Sequence, residues 1–255
     1  MPATEDTNFI APDNKDEKLW RYMDFAKFVS MISTGSLWFS RPDKFDDPFE
    51  GSRPNYYVNE RNTVVVEQYR AQYPDMPVEE LKQIVEATFN RDLSIRNQYF
   101  YINCWHMNDC ESEAMWRLYG ERNGAIAIQS TYRRLFNCLP PECKVGKVFY
   151  RANDPNEATD EQTKNIFLLK RKAFDHEREV RAITHGEEQR SDNNIVLPNT
   201  KAGLAVQVNL SELIEAIVIA PTADRWYIDA VQSVAKKYDL KIEPEKSVLT
   251  AIPRY

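Results

Sequence analysis

Two carboxylates set one residue apart, Glu177 and Glu179, followed by Arg181, are the residues here best suited to carry chemistry. On a strand that begins at Glu177, alternating side chains share a face, so these three project together. Neighbouring carboxylates repel, which raises the proton affinity of one and poises it for proton transfer or for a hydrogen bond to a sugar hydroxyl. Arg181 moderates that repulsion. A solvated, salt-bridged strand edge has the same spacing, and both readings stand at this level.

Three other segments carry polar groups among aromatics. In Leu19-Trp20-Arg21-Tyr22, Arg21 faces away from Trp20 and Tyr22 on a strand; it either pairs with a buried carboxylate or awaits an anion such as phosphate. In Phe45-Asp46-Asp47-Pro48-Phe49-Glu50-Gly51 the carboxylates can line a pocket or bind a hard cation, or they can build turns by capping backbone N–H groups. Trp105 and His106, with Met115-Trp116 following, can frame an aromatic ring such as nicotinamide or adenine. His106 can serve as acid or base, or as a hydrogen-bonded structural residue. Cys104 has no base partner in the sequence and reads as a small core residue. A hydrolase using Asp46, Asp47, Glu50, Glu113 and Glu177 around a divalent ion lacks supporting motif spacing, so no metal is expected.

At these residues the chain resembles a bacterial family known only as domain of unknown function 2971. The matching blocks are Leu19-Trp20-Arg21-Tyr22, Leu37-Trp38-Phe39-Ser40 with Phe45 to Gly51, Met115-Trp116-Arg117-Leu118-Tyr119-Gly120 before Asn123-Gly124, and Lys170 and Phe174 ahead of Glu177-Arg178-Glu179-Val180-Arg181. Phe174 stands where that family commonly has Trp, and His106 where Ser is common. The chain also resembles ADP-ribosyltransferases, which use an early-strand Arg, a middle Ser/Thr-rich strand and a late Glu-x-Glu. Arg21, the strand from Tyr99 to His106 and Glu177-Arg178-Glu179 occur in that order, with Cys104-Trp105-His106 in place of Ser-Thr-Ser. That resemblance implies NAD as substrate, with Arg21 and Tyr22 on its phosphate or ribose and Trp105 and His106 beside it. It implies that Glu179 stabilises the oxocarbenium-like charge as nicotinamide leaves, while Glu177 orients or deprotonates the acceptor, a small nucleotide or a protein. Asp47, Glu50, Trp116 and Arg181 would line the substrate side.

The elements that must position these residues follow from periodicity. Residues 1–17 are polar and read as a flexible leader. Asp24 caps a helix whose Phe25, Phe28, Val29 and Ile32 share a face, and Gly35 ends it. Residues 54–97 read as two helices forming an insertion. Strands are expected at 19–21, 36–40, 99–105, 124–129, 147–150, 177–183, 203–208 and 216–220. Helices are expected at 113–119, 131–136, about 160–174 and 223–237. Strands and helices mix without regular βαβ alternation, which predicts one α+β domain over 18–255 with a mixed or antiparallel central sheet and flanking helices.

With 255 residues, 42% hydrophobic and 28% charged, the chain is long enough to bury a core without staples. A net charge of -6 with interleaved signs argues against broad nucleic-acid binding. Cys104, Cys110, Cys138 and Cys143 lack paired zinc-site spacing, the start is polar, and no apolar run approaches the ~20 residues that span a bilayer. A cytoplasmic protein is expected, with no membrane partner. It would be an NAD-consuming enzyme or defence effector, a non-enzymatic sensor or protein-interaction domain of a defence or stress system, or a metal-dependent hydrolase.

Overall fold

The computed structural model describes residues 2–53, 55–119, 124–151 and 165–250. It is an α+β fold. The strands are β1 (Lys18–Asp24), β2 (Ser36–Ser40), β3 (Phe100–Met107), β4 (Ala125–Thr131), β5 (Lys144–Lys147), β6 (Phe149–Arg151), β7 (Leu169–Arg171), β8 (Glu179–His185), β9 (Gly203–Gln207), β10 (Ala216–Ile219) and β11 (Glu245–Lys246). The helices are α1 (Phe25–Thr34), α2 (Asn55–Gln72), α3 (Val78–Asn97), α4 (Glu113–Tyr119), α5 (Tyr132–Cys138), α6 (Leu210–Leu213) and α7 (Arg225–Lys237).

Nine strands make one sheet in the order β11-β10-β4-β1-β3-β2-β9, with β8 on β3 and β5 on β8; β6 and β7 form a separate parallel ribbon. All pairings of the large sheet are antiparallel except β10 with β11. The β3 strand is the pivot. One edge pairs with β8 from Phe100 to His106, while the other is shared by β1 at His106–Met107 and β2 at Ile102.

Alternation along β8 separates two cores. Val180 and Ala182 enter the main core with Trp105, Ile126, Ile128, Phe28 and Val231, while Ile183 joins a smaller one with Ile102, Ile166, Phe167 and Leu168. The α1 helix forms as its apolar spacing requires: Asp24 accepts from the Lys27 N–H, Phe28, Met31 and Ile32 are buried, and Gly35 closes the end at φ 62°. The α2–α3 hairpin keeps its own small core of Val66, Leu81 and Val85.

Three expectations need revision. Residues 2–17 are tied down: Ala3 N–H donates to Phe136 O, Thr4 N–H to Cys143 O, and Ile10 O accepts from Lys147 N–H. No helix occupies the described part of 160–174. Residues 166–168 are a 3₁₀ turn, 169–171 a strand and 172–177 another 3₁₀ turn, while 152–164 lie outside the described residues. Four consecutive buried residues, Ile166, Phe167, Leu168 and Leu169, cannot all lie on one helical stripe. Third, the strand that carries the acid pair begins at Glu179, and Glu177 ends the 3₁₀ turn before it.

Candidate functional site

Although Glu177 is off the strand, its side chain still meets Glu179. The Lys170 ammonium from β7 lies between them, with Nζ 2.6 Å from Glu177 Oε2 and 2.8 Å from Glu179 Oε1. The other Glu179 oxygen accepts from Arg181 Nε. Arg181 in turn grips both Glu50 oxygens, Nη1 at 2.7 Å and Nη2 at 2.9 Å, and donates from Nη1 to Phe167 O at 2.6 Å. Side-chain exposure is 8% or less at Lys170, Glu177, Glu179, Arg181 and Glu50. Beside this chain Arg171 pairs with Asp47 at 2.8 Å and lies 4.5 Å over the Phe49 ring.

The turn that delivers Glu50 is built locally. Asp47 Oδ1 caps the Phe49 N–H, and Gly51 takes φ 68° where a Cβ would stand 2.7 Å from the Phe167 ring. Asp46 is exposed, and Glu113 pairs with Arg117 at the surface. Asp47, Glu50, Glu113 and Glu177 are thus each held by a different cation, and among the described residues no His, Cys, Asp and Glu group is arranged for a metal ion.

Electrostatics follow from three carboxylates facing two cations. Burial pushes the Glu177 carboxyl up to about 7, reinforced by its hydrogen bond to Glu179. Burial acts the same way on Glu179, but Arg181, the Glu177 hydrogen bond and Lys170 outweigh it and hold Glu179 well below the usual range. Burial opposes the Arg181 charge, yet Glu179 and Glu50 keep its affinity for the proton high. Burial, with Glu177 and Glu179, raises the phenols of Tyr119, from α4, and Tyr150, from β6. Tyr150 Oη also accepts from the Glu179 N–H at 2.7 Å.

The other expected residues fall around this cluster. His106 is opposite Glu179 in register, and its Nδ1 makes a 2.7 Å hydrogen bond with the Glu177 carbonyl; its buried Nε2 has no hydrogen-bond partner. Burial lowers its proton affinity. Tyr22 meets the edges of His106 and Trp116, at 6.3 and 4.8 Å between ring centroids, and Trp116 Nε1 donates to Glu111. Trp105 points the other way, 1% exposed in the main core with Nε1 on Asn103 Oδ1. Arg21 sits where β1 and β2 part along β3: Nη1 donates to Cys104 O at 2.7 Å and Nη2 approaches Trp38 O at 3.5 Å. Burial lowers its affinity for the proton, and no carboxylate pairs with it among the described residues.

Two cavities of about 320 Å³ occur elsewhere, one lined by Phe9, Tyr132 and Phe136, the other by Tyr99, Tyr101 and Lys201, and neither includes Arg21, Glu177 or Glu179. Sequence reasoning left Lys170, Tyr119 and Tyr150 without site roles. Lys170 is seven residues before Glu177, a separation that signals no contact until the β6–β7 ribbon forms. No protein-family model matches the chain, and no curated protein or solved structure does so. Among the described residues no helix is long and apolar enough to cross a membrane.

Proposed function

We propose that this chain is a non-enzymatic sensor or protein-interaction domain, a member of the domain of unknown function 2971 family, whose acid pair locks the fold. What supports the reading is the state of Glu179. Both of its oxygens are held by buried cations, and it lines neither cavity. A carboxylate that must stabilise a developing cation in a substrate needs a free oxygen at a site the substrate can enter. The surface offered to a partner is the α2–α3 hairpin, which packs chiefly on itself and exposes Val64, Tyr69, Tyr73 and Ile84.

One observation favours a second reading, an NAD-consuming, ADP-ribosyltransferase-like enzyme. Arg21 is a guanidinium without a carboxylate at a fork in the sheet, suited to a phosphate. Incubation of the full chain with NAD distinguishes the two. The interaction reading expects no nicotinamide release and no calorimetric NAD binding. Turnover that Glu179→Gln abolishes while the fold persists establishes the enzyme instead. A partner complex carried by the hairpin is lost in Tyr69→Ser with Tyr73→Ser, while the melting temperature is unchanged.

A further inference from the structure

The chain from Ala3 to Ala11 runs beside α5 and β5 as a strap tied at both ends. Ala3 N–H donates to Phe136 O and Thr4 N–H to Cys143 O at one end, and Lys147 N–H donates to Ile10 O at the other. Between these ties the strap arches through a turn, with Phe9 N–H on Asp6 O at 2.9 Å. It comes down on Gly146, where a Cβ would stand 3.0 Å from Phe9 Cα. The arch leaves a cavity of about 320 Å³ against α5 and β5. Phe9, Tyr132, Phe136 and Val145 line it, Glu5 and Asp6 supply its charge, and among the described residues no Lys or Arg lines it. Tyr132 is fixed by donating from Oη to Val145 O at 2.9 Å, and Phe136, one helical turn on, stacks beside it with centroids 6.1 Å apart. Both acids keep capacity for a ligand. Asp6 Oδ1 accepts from the backbone and side-chain amides of Asn8, while its Oδ2 has no hydrogen-bond partner among the described residues. Glu5 meets Lys15 at 3.1 Å, but its side chain is 79% exposed, and pairs of that kind contribute little.

We propose that this cavity binds a small organic cation, an alkylated ammonium of the size of choline, by its three aromatic rings and two carboxylates. Aromatic rings attract a cation through their quadrupole, and a quaternary ammonium spreads its charge over methyl groups that an apolar lining accepts. Glu5 and Asp6 neutralise that charge. The volume is at the small end of ligand pockets, which suits a ligand of few heavy atoms. A neutral apolar molecule would leave the two acids unanswered, and an anion would be repelled by them. The site is separate from the buried ion network and from the α2–α3 hairpin, so this inference and the interaction reading can each fail without the other.

Amide chemical shifts of the full chain, followed by NMR at constant ionic strength, test the site with choline as the probe. Choline should move the Phe9, Val145 and Gly146 amides along a saturable curve with a Kd in the millimolar range or tighter, leaving Ile126 and Ile128 of β4 in place. Neohexanol, the neutral carbon isostere of choline, should bind at least about tenfold more weakly. Phosphocholine, whose phosphate meets Glu5 and Asp6, should also bind more weakly than choline. Asp6→Asn keeps the turn and Phe136→Leu keeps the apolar volume. Each should weaken choline binding by about threefold or more while the rest of the spectrum stays native. Absence of a saturable shift at the three amides overturns the site, as does equal binding of neohexanol or of phosphocholine. Choline affinity unchanged in either variant overturns it too.

Discussion

Glu179 and Arg181 are neighbours on one strand face, so their contact was legible from a spacing of two residues. Their other partners were not. Glu50 arrives from a turn and Lys170 from a ribbon, and only the folded chain sets those approaches. The same holds for Trp105 and His106, adjacent in sequence but on opposite faces of β3, one in the main core and one beside the acids. Buried charges are costly when a partner is removed, so Lys170→Met should destabilise by roughly 3–5 kcal/mol near neutral pH. The loss should shrink towards about pH 5, because without the ammonium Glu177 and Glu179 take up protons more readily and shed their repulsion. Urea unfolding at the two pH values measures both.

Elements with regular apolar spacing were readable because one physical rule sets them. The α1 helix follows Asp24, Phe28 and Ile32 of its expected face are buried with Met31 beside them while Phe25 and Val29 are half-buried, and Gly35 ends it. Asp24→Ala removes the acceptor of the Lys27 amide and should cost about 1 kcal/mol in thermal unfolding, with the native fold retained. The stretch from 165 to 177 escaped such rules. Its leucines and charges imitate a helix, but continuous burial from Ile166 to Leu169 and pairing of Leu169 with Phe149 draw the chain into a ribbon. That ribbon carries Lys170 to the acids, so the misread element is the one that completes the site.

Across the whole molecule, the sheet separates a large apolar core from a smaller one bordered by ions. The α+β class was legible because strands and helices alternate irregularly; the fork at β3, which sets Arg21 against two carbonyls, was not, because it depends on where β1 and β2 part. The network joins the 45–51 turn, the β6–β7 ribbon and β8, three segments distant in sequence, so its loss should be felt throughout the fold. Replacing a residue poised for catalysis commonly leaves stability unchanged or improved, whereas breaking a buried ion pair lowers it. Equilibrium unfolding of Glu179→Gln against wild type near neutral pH separates these cases. A structural acid pair predicts a loss on the order of 3 kcal/mol, and equal or greater stability in the variant contradicts it.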